Sequence, residues 1–210
     1  MSDQERARPF SMLNAPKRTP VPWFEPVLAA MADAPTRYAG VVEAFVEDDG
    51  GTRFRYRVTR DGDRVRCVGM DGGVHVVANL QTEWCRGAND REVRTQGRDP
   101  RLLHVPDDYE FGVRSEQSDR WEGNDFTEPI GGPEEGAMLG RPAWRITLAP
   151  PPHKPAPMYI VVDRETSLTL GEGNDTFGTY HHWVELDLDP SIDDDAFRWR
   201  DGDRPGTSYV

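Results

Sequence analysis

The hydrophobic pattern of the chain changes from helical to strand spacing after Pro35. Within residues 24–34, apolar side chains recur at helical spacing, and Pro35 ends the run. Pro26 falls in the first turn, where a missing backbone N–H has no cost. The pattern predicts a short N-terminal helix. The preceding residues 1–22 are rich in Pro and basic side chains, which predicts a flexible arm.

The cleanest alternation in the sequence lies at 53–60, where the letters read RFRYRVTR. Phe54, Tyr56 and Val58 fall on one face of this predicted strand, and three arginines fall on the other. Further strand patterns, separated by turns rich in Gly and Asp, occur at 38–47, 64–70, 74–80 and 82–86. This spacing predicts an antiparallel meander.

Strand patterns return in the second half of the chain after a polar stretch at 115–136, which predicts a long loop. They occur at 140–149, 158–163, 168–170 and 176–189. In the last of these, Tyr180, His182 and Leu186 alternate with His181 and Trp183, so strict alternation assigns Trp183 to the face opposite Leu186. The letters GEGNDT at 171–176 predict a turn, because a third Gly and a following helix are missing.

Composition and charge exclude several classes of protein. The chain of 210 residues has 25 basic and 37 acidic side chains, which gives a net charge of −12. Such a charge repels phosphate, so no nucleic acid is expected as a partner. No apolar run approaches the roughly 18 residues of a transmembrane helix. The first 26 residues lack the apolar core of a secretory signal, so a cytoplasmic location is expected.

No pattern of catalytic or metal-ligating residues stands out. His181 and His182 are neighbours, but neighbours on a strand point to opposite faces and cannot share one ion. The metal motif HExxH, the nucleophile motif GxSxG and the phosphate-binding lysine loop are all missing. The sequence therefore predicts no metal, no cofactor and no enzyme. Whether Cys67 and Cys85 are paired stays open.

Three segments of the C-terminal half carry a family resemblance. They are GRPAWRITL at 140–148, MYIVVD followed by DRETSL at 158–168, and VELDLDPSIDDDAF at 184–197. Their order resembles the outer-membrane lipoprotein carrier (LolA-like) family and its relatives, the RseB sensor domains and mycobacterial lipid-binding lipoproteins. The resemblance spans about 24–200. It implies an α+β, mostly antiparallel fold, a strongly curved incomplete β-barrel whose concave face is covered by one N-terminal helix, short helices and a loop.

The same resemblance implies one half-barrel domain at 23–204, followed by a tail at 205–210. Family members are usually exported, which differs from the location expected for this chain. In the relatives, the concave apolar face holds acyl chains or a partner's lipid or peptide. Aromatic residues are numerous here, and Trp121 and Phe126 in the polar loop suggest a lid over an apolar surface.

The leading hypothesis is a non-enzymatic binding protein with a concave apolar cavity for an acyl chain, a lipid or a similar hydrophobic ligand. The candidate ligand-binding residues are Phe54, Tyr56, Trp84, Trp121, Phe126, Trp144, Tyr180 and His182. The alternative is an acidic interaction or regulatory module that binds a basic protein partner.

Arg53, Arg55 and Arg57, which share one face of the 53–60 strand, have two interpretations. Together with Arg64 and Arg66 they would form a basic stripe that binds an anionic head group or an acidic partner. They would otherwise pair across strands with Glu43 and Glu47 of the preceding strand. The sequence favours cross-strand pairing.

Overall fold

The computed structural model describes residues 20–46, 51–62, 64–78, 83–85, 92–94, 128–150, 152 and 154–205. They form one α-helix, α1 (Phe24–Ala32), one 3₁₀ helix (Asp194–Phe197) and twelve strands. The strands are β1 (Arg37–Val46), β2 (Thr52–Asp61), β3 (Arg64–Gly69), β4 (Gly73–Ala78), β5 (Glu83–Cys85), β6 (Glu92–Arg94), β7 (Glu134–Met138), β8 (Arg141–Leu148), β9 (Met158–Asp163), β10 (Thr169–Asn174), β11 (Thr179–Asp187) and β12 (Arg204–Pro205).

All twelve strands belong to one sheet with the order β6-β5-β4-β3-β2-β1-β11-β10-β9-β8-β7. Two antiparallel meanders are joined where β1 pairs with β11, and β12 adds to β4 in parallel. The terminal strands β6 and β7 do not pair with each other within the described residues, so the sheet stays open there. The predicted architecture, a curved and mostly antiparallel half-barrel with an N-terminal helix, is confirmed.

The sheet has an apolar face and a charged face, which follow from the register of β1 and β2. Val42 lies opposite Tyr56, while Glu43 lies opposite Arg55. Residues directly opposite each other share a face, and Val42 and Tyr56 are buried. We call their side the core face and the side of Arg55 the outer face. The alternation predicted for 53–60 is confirmed.

Two clusters of buried side chains lie on the core face. The aromatic cluster is formed by Ala34, Tyr38, Val42, Tyr56, Val58, Val65, Cys67, Leu168 and Trp183. The helix cluster is formed by Phe24, Val27, Ile146, Leu148, Ile160 and Val162. The helix α1 thus covers the β8–β9 end of the core face. Full burial of an apolar side chain such as Phe24 contributes about 1.5–3 kcal/mol.

A β-bulge in β11 overturns one prediction from the sequence. Val42 pairs with Trp183, but the next residue, Val41, pairs with Glu185, which leaves Val184 as an extra residue. A bulge reverses which side chains face the core. Trp183 therefore packs on the core face together with Leu186, and the predicted assignment of Trp183 to the face opposite Leu186 is wrong.

Two further predictions are corrected. Residues 171–174 were predicted as a turn, but they continue β10, with Gly171 opposite His182. The long loop predicted up to residue 136 is interrupted by β7, which pairs with β8 through Glu135 and Trp144. The predicted arm at 1–22 lies outside the described residues except for its last three.

Candidate functional site

The centre of the core face is an aromatic cluster built around Trp183. The ring of Tyr38 meets the Trp183 ring edge-on, with centroids 5.5 Å apart. Both residues are essentially inaccessible to solvent. Gly40 allows this packing, because a Cβ there would lie 2.9 Å from the Trp183 ring and 2.1 Å from the carbonyl oxygen of Glu185. Because Gly40 has no side chain, β1 and β11 can approach each other closely beside the Trp183 indole.

Trp183 also carries an unsatisfied polar atom. Its indole Nε1 is buried and has no hydrogen-bond partner in the described part of the chain. Buried polar groups are nearly always paired, since an unpaired donor costs about 1–3 kcal/mol. This N–H is thus a buried donor without an acceptor among the described residues of an otherwise apolar cluster.

The structure divides the predicted ligand-binding residues between the two faces. Phe54, Tyr56 and Trp144 lie on the core face, where Tyr56 is buried and the other two are half-buried. Phe54 stacks on Tyr56 with centroids 6.5 Å apart, and through this contact it packs against the aromatic cluster, of which Tyr56 is a member. Trp144 packs at the other end, in the helix cluster. Trp183 was not among the predicted residues, because strict alternation assigned it to the wrong face.

The remaining predicted residues have different outcomes. Tyr180 and His182 lie on the outer face, so they do not join Phe54 and Tyr56. Trp84 lies in β5 opposite Val77, but its side chain is outside the described part of the structure. Trp121 and Phe126 also lie outside the described residues.

His182 belongs to a compact polar cluster on the outer face. Its Nε2 atom is 3.0 Å from the Tyr159 hydroxyl, and its ring stacks on Tyr180 at 4.8 Å. Gly171 and Gly173 make room for these rings, since a Cβ at either position would lie within about 2.5 Å of His182 or Tyr159. A groove of about 350 Å³ lies beside the His182 and Tyr159 side chains and extends to β7.

The protonation of this cluster favours neutral rings. Burial, reinforced by the neighbouring His181, lowers the pKa of His182. Burial also raises the pKa of Tyr159, with a further contribution from Asp175. A neutral imidazole with its proton on Nδ1 accepts the hydrogen bond from the Tyr159 hydroxyl. Both pKa shifts thus favour the neutral forms of the two side chains.

Glu43 connects the outer-face cluster to the arginine stripe. The Tyr180 hydroxyl donates to one carboxylate oxygen of Glu43 at 2.8 Å, and Arg55 Nε donates to the other at 2.7 Å. These two hydrogen bonds outweigh burial and lower the pKa of Glu43. The cross-strand pairing predicted from the sequence is confirmed for Arg55 and Glu43.

The other arginines of the stripe differ in their partners. Arg64 pairs with Asp61 and Asp194, and Arg66 pairs with Asp203. Arg53 lies over the ring of Phe45 at 5.7 Å and has no ion pair with a described residue. Arg57 is exposed and makes no ion pair within the described ranges. Among the residues that the structure describes, three arginines of the stripe thus form ion pairs, while Arg53 and Arg57 form none.

A second cavity, of about 420 Å³, lies at the end of the sheet where β2 begins. It is lined by Glu43, Arg53, Phe54, Arg55, Met70 and Asp71. Outer-face and core-face side chains meet in it, since Phe54 belongs to the core face and Arg53 to the outer face.

The described residues contain no group of three or more His, Cys, Asp or Glu side chains placed to hold a metal ion. No helix among the described elements has the length and apolar character needed to cross a bilayer. Cys67 is buried on the core face, and the side chain of Cys85 lies outside the described part of the structure.

Comparison with known proteins yields similarity in structure only. No family model and no curated protein matches the chain. The crystal structure of MucB in complex with MucA(peri) superposes with a TM-score of 0.52, covering 88% of this chain and 62% of MucB at 14% identity. The chain shares the fold of MucB, an RseB protein. The resemblance to the RseB relatives predicted from the sequence is confirmed at the level of the fold.

Two other structures give similar values. The MucA/MucB complex of Pseudomonas aeruginosa has a TM-score of 0.51 and 17% identity, covering 83% of this chain and 60% of that one. An uncharacterized conserved protein from Thermus thermophilus has a TM-score of 0.51 and 10% identity, covering 87% of this chain and 97% of that protein. This chain therefore spans about three-fifths of MucB and nearly all of the Thermus protein.

Proposed function

We propose that the protein is a non-enzymatic binding protein that holds an acyl chain or a similar amphiphile against the aromatic cluster of its core face. Three features support the proposal. The half-barrel fold supplies one apolar face. Among the described residues, α1 is the only α-helix on that face, and α1 packs against β8 and β9. The aromatic cluster lies elsewhere, mainly on β3, β2, β1 and β11 in the middle of the sheet.

The observation that carries the proposal is the buried Trp183 indole N–H, which has no acceptor among the described residues. A carbonyl, carboxylate or hydroxyl oxygen of a bound amphiphile would satisfy this donor. The acyl chain would bury apolar surface against the neighbouring rings, at about 25 cal/mol per Å². Both contributions favour a ligand that is mostly apolar and carries a few oxygen atoms.

Mass spectrometry of the purified protein tests the proposal. We expect an organic-solvent extract to contain an amphiphile in stoichiometric amount, and native spectra to show the corresponding mass on the intact chain. Trp183→Phe keeps an aromatic ring but removes the N–H. We expect it to weaken binding about fivefold, the effect of about 1 kcal/mol for one hydrogen bond. Trp199→Phe is the control, because Trp199 is exposed near the C-terminal end.

Two results would overturn the proposal. The first is a protein that is free of ligand and that binds no added fatty acid or fatty alcohol. The second is equal binding by the Trp183→Phe and wild-type proteins, which would show that the indole N–H does not contact the ligand.

A second candidate function is the binding of a basic protein partner. The net charge of −12 favours it, and MucB, which has a similar fold, is described in complex with MucA(peri). Electrostatic association weakens with salt, since the Debye length falls to about 3 Å at 1 M. We expect a basic model peptide such as octalysine to bind at about 50 mM NaCl and to be released at high salt. A lack of binding at the low salt concentration would exclude this function.

A further inference from the structure

We propose that the ligand of the core face is an anionic amphiphile, and that Arg53 binds its carboxylate or phosphate head group at the 420 Å³ cavity. The inference rests on the proposed function, because it assigns the head group of the same ligand. Its basis is the shape, the apolar wall and the charge balance of this cavity.

The cavity exists because β3 is shorter than β2. The last residue of β3, Gly69, pairs with Tyr56, and the chain then turns through Met70 and Gly72. β2 extends past this point as far as Thr52, so Arg53 and Phe54 have β1 on one side and no β3 partner on the other. The cavity lies at this end of β2, and side chains of both sheet faces line it.

The wall of the cavity is apolar on the side of the core face. Phe54 is half-buried and packs against the aromatic cluster, and its ring stacks on that of Tyr56. Met70 is 56% exposed, the most exposed of the large hydrophobic side chains among the described residues. An acyl chain leaving the aromatic cluster past Phe54 would cover Met70 and remove its apolar surface from water.

The charge balance of the cavity leaves Arg53 without an acidic partner among the described residues. Arg55 is neutralised by Glu43, which also accepts from Tyr180. The Asp71 carboxylate accepts from the amide of Gly73 and lies 3.9 Å from the Arg204 guanidinium. Arg53 contacts the Phe45 ring and lies in the field of Glu43, but it forms no ion pair within the described chain.

This arrangement is what an anionic head group requires. A guanidinium binds a carboxylate or a phosphate with two parallel hydrogen bonds. The contact of the Arg53 guanidinium with the Phe45 ring, at 5.7 Å, restricts the Arg53 side chain and so lowers the entropy lost on binding. A neutral head group would bring Arg53 no opposite charge, and a cationic one would be repelled by it.

Binding of oleate and of oleyl alcohol tests the inference, because the two ligands share an acyl chain and differ in head-group charge. We expect wild-type protein to bind oleate more tightly than the alcohol. Arg53→Gln should weaken oleate binding about fivefold, which corresponds to about 1 kcal/mol for a partly exposed ion pair, and should leave the alcohol unaffected. Arg57→Gln is the matched control, since Arg57 is exposed on the same strand and face but does not line the cavity.

The outcomes separate this inference from the proposed function. If neither ligand binds wild-type protein, the proposed function fails and the inference fails with it. If both ligands bind and Arg53→Gln leaves oleate affinity unchanged, only the head-group site is overturned. If Arg57→Gln weakens oleate binding as much as Arg53→Gln does, the effect comes from the general field of the stripe, and a site at Arg53 is refuted.

Discussion

The close approach of β1 and β11 at Gly40 makes a quantitative prediction. A Cβ added at Gly40 would lie 2.1 Å from the carbonyl oxygen of Glu185 and 2.9 Å from the Trp183 ring. The first contact is with the backbone of a paired strand, so no side-chain rotation relieves it. Overpacking of a core costs about 1–3 kcal/mol. We expect Gly40→Ala to lower the free energy of unfolding by an amount near the upper limit, about 3 kcal/mol.

Gly136→Ala is the matched control for this substitution. Gly136 lies in the exposed strand β7, and an added Cβ there would meet nothing within 4 Å. Since Gly in a strand interior is less favourable than Ala by about 0.5–1 kcal/mol, this variant should be slightly stabilised. The comparison removes the general effect of replacing a glycine.

Equilibrium unfolding in urea measures both variants. With a slope of about 2 kcal/mol per M, a loss of about 3 kcal/mol moves the midpoint down by about 1.5 M. The slope itself should stay constant, because both variants unfold from the same fold. Equal midpoints for Gly40→Ala and Gly136→Ala would refute the close packing of Trp183 between β1 and β11.

Two further predictions concern titratable groups. Burial would raise the pKa of Asp163, but hydrogen bonds from Arg141 and two backbone amides outweigh it and lower the pKa. The stability contributed by Asp163 is therefore full above its unfolded-state pKa of about 3.9 and is lost as the pH falls through the folded-state value. Asp163→Asn should destabilise the fold by about 2–3 kcal/mol at about pH 7 and progressively less below about pH 4. This prediction would be contradicted if Asp163→Asn lowered the stability equally at about pH 7 and below about pH 4. It would also be contradicted if Glu165→Gln, at an exposed side chain, lowered the stability as much as Asp163→Asn does. Burial lowers the pKa of His182 in the folded protein. The stability of the fold that depends on the neutral ring is therefore fully present above the unfolded-state pKa of about 6.5, and it is lost as the pH falls through the folded-state pKa. An NMR titration should give a midpoint below about 6.5, and a midpoint at or above that value would show that the ring is not buried as described.

The alternation of β2 could be predicted because it depends on short-range geometry. Phe54 and Tyr56 lie on one face and Arg55 on the other, as every strand requires. The pairing of Arg55 with Glu43 also followed, since few residues separate β1 from β2 and a short connection determines which residues face each other.

The position of Trp183 could not be predicted, because a bulge has no clear signature in the sequence. The extra residue Val184 reverses the alternation of β11 only when β11 pairs with β1, and these strands are far apart in the chain. The two glycines of β10 misled the prediction in a similar way. Gly171 resembles a turn residue, but it is needed because the ring of His182 lies across it.

The sequence by itself determined the class of the fold: a short helix, a series of antiparallel strands with one apolar face, and an acidic surface. These properties depend on side-chain alternation, turn residues and charge, all of which are local. Only the tertiary structure decided that Trp183 lies on the core face, that Tyr180 and His182 lie on the outer one, and that Arg53 and Met70 meet at one cavity. These positions depend on the pairing of strands that are distant in the sequence and on the residue at which β3 ends. A shift of one residue in register moves a side chain to the opposite face of the sheet.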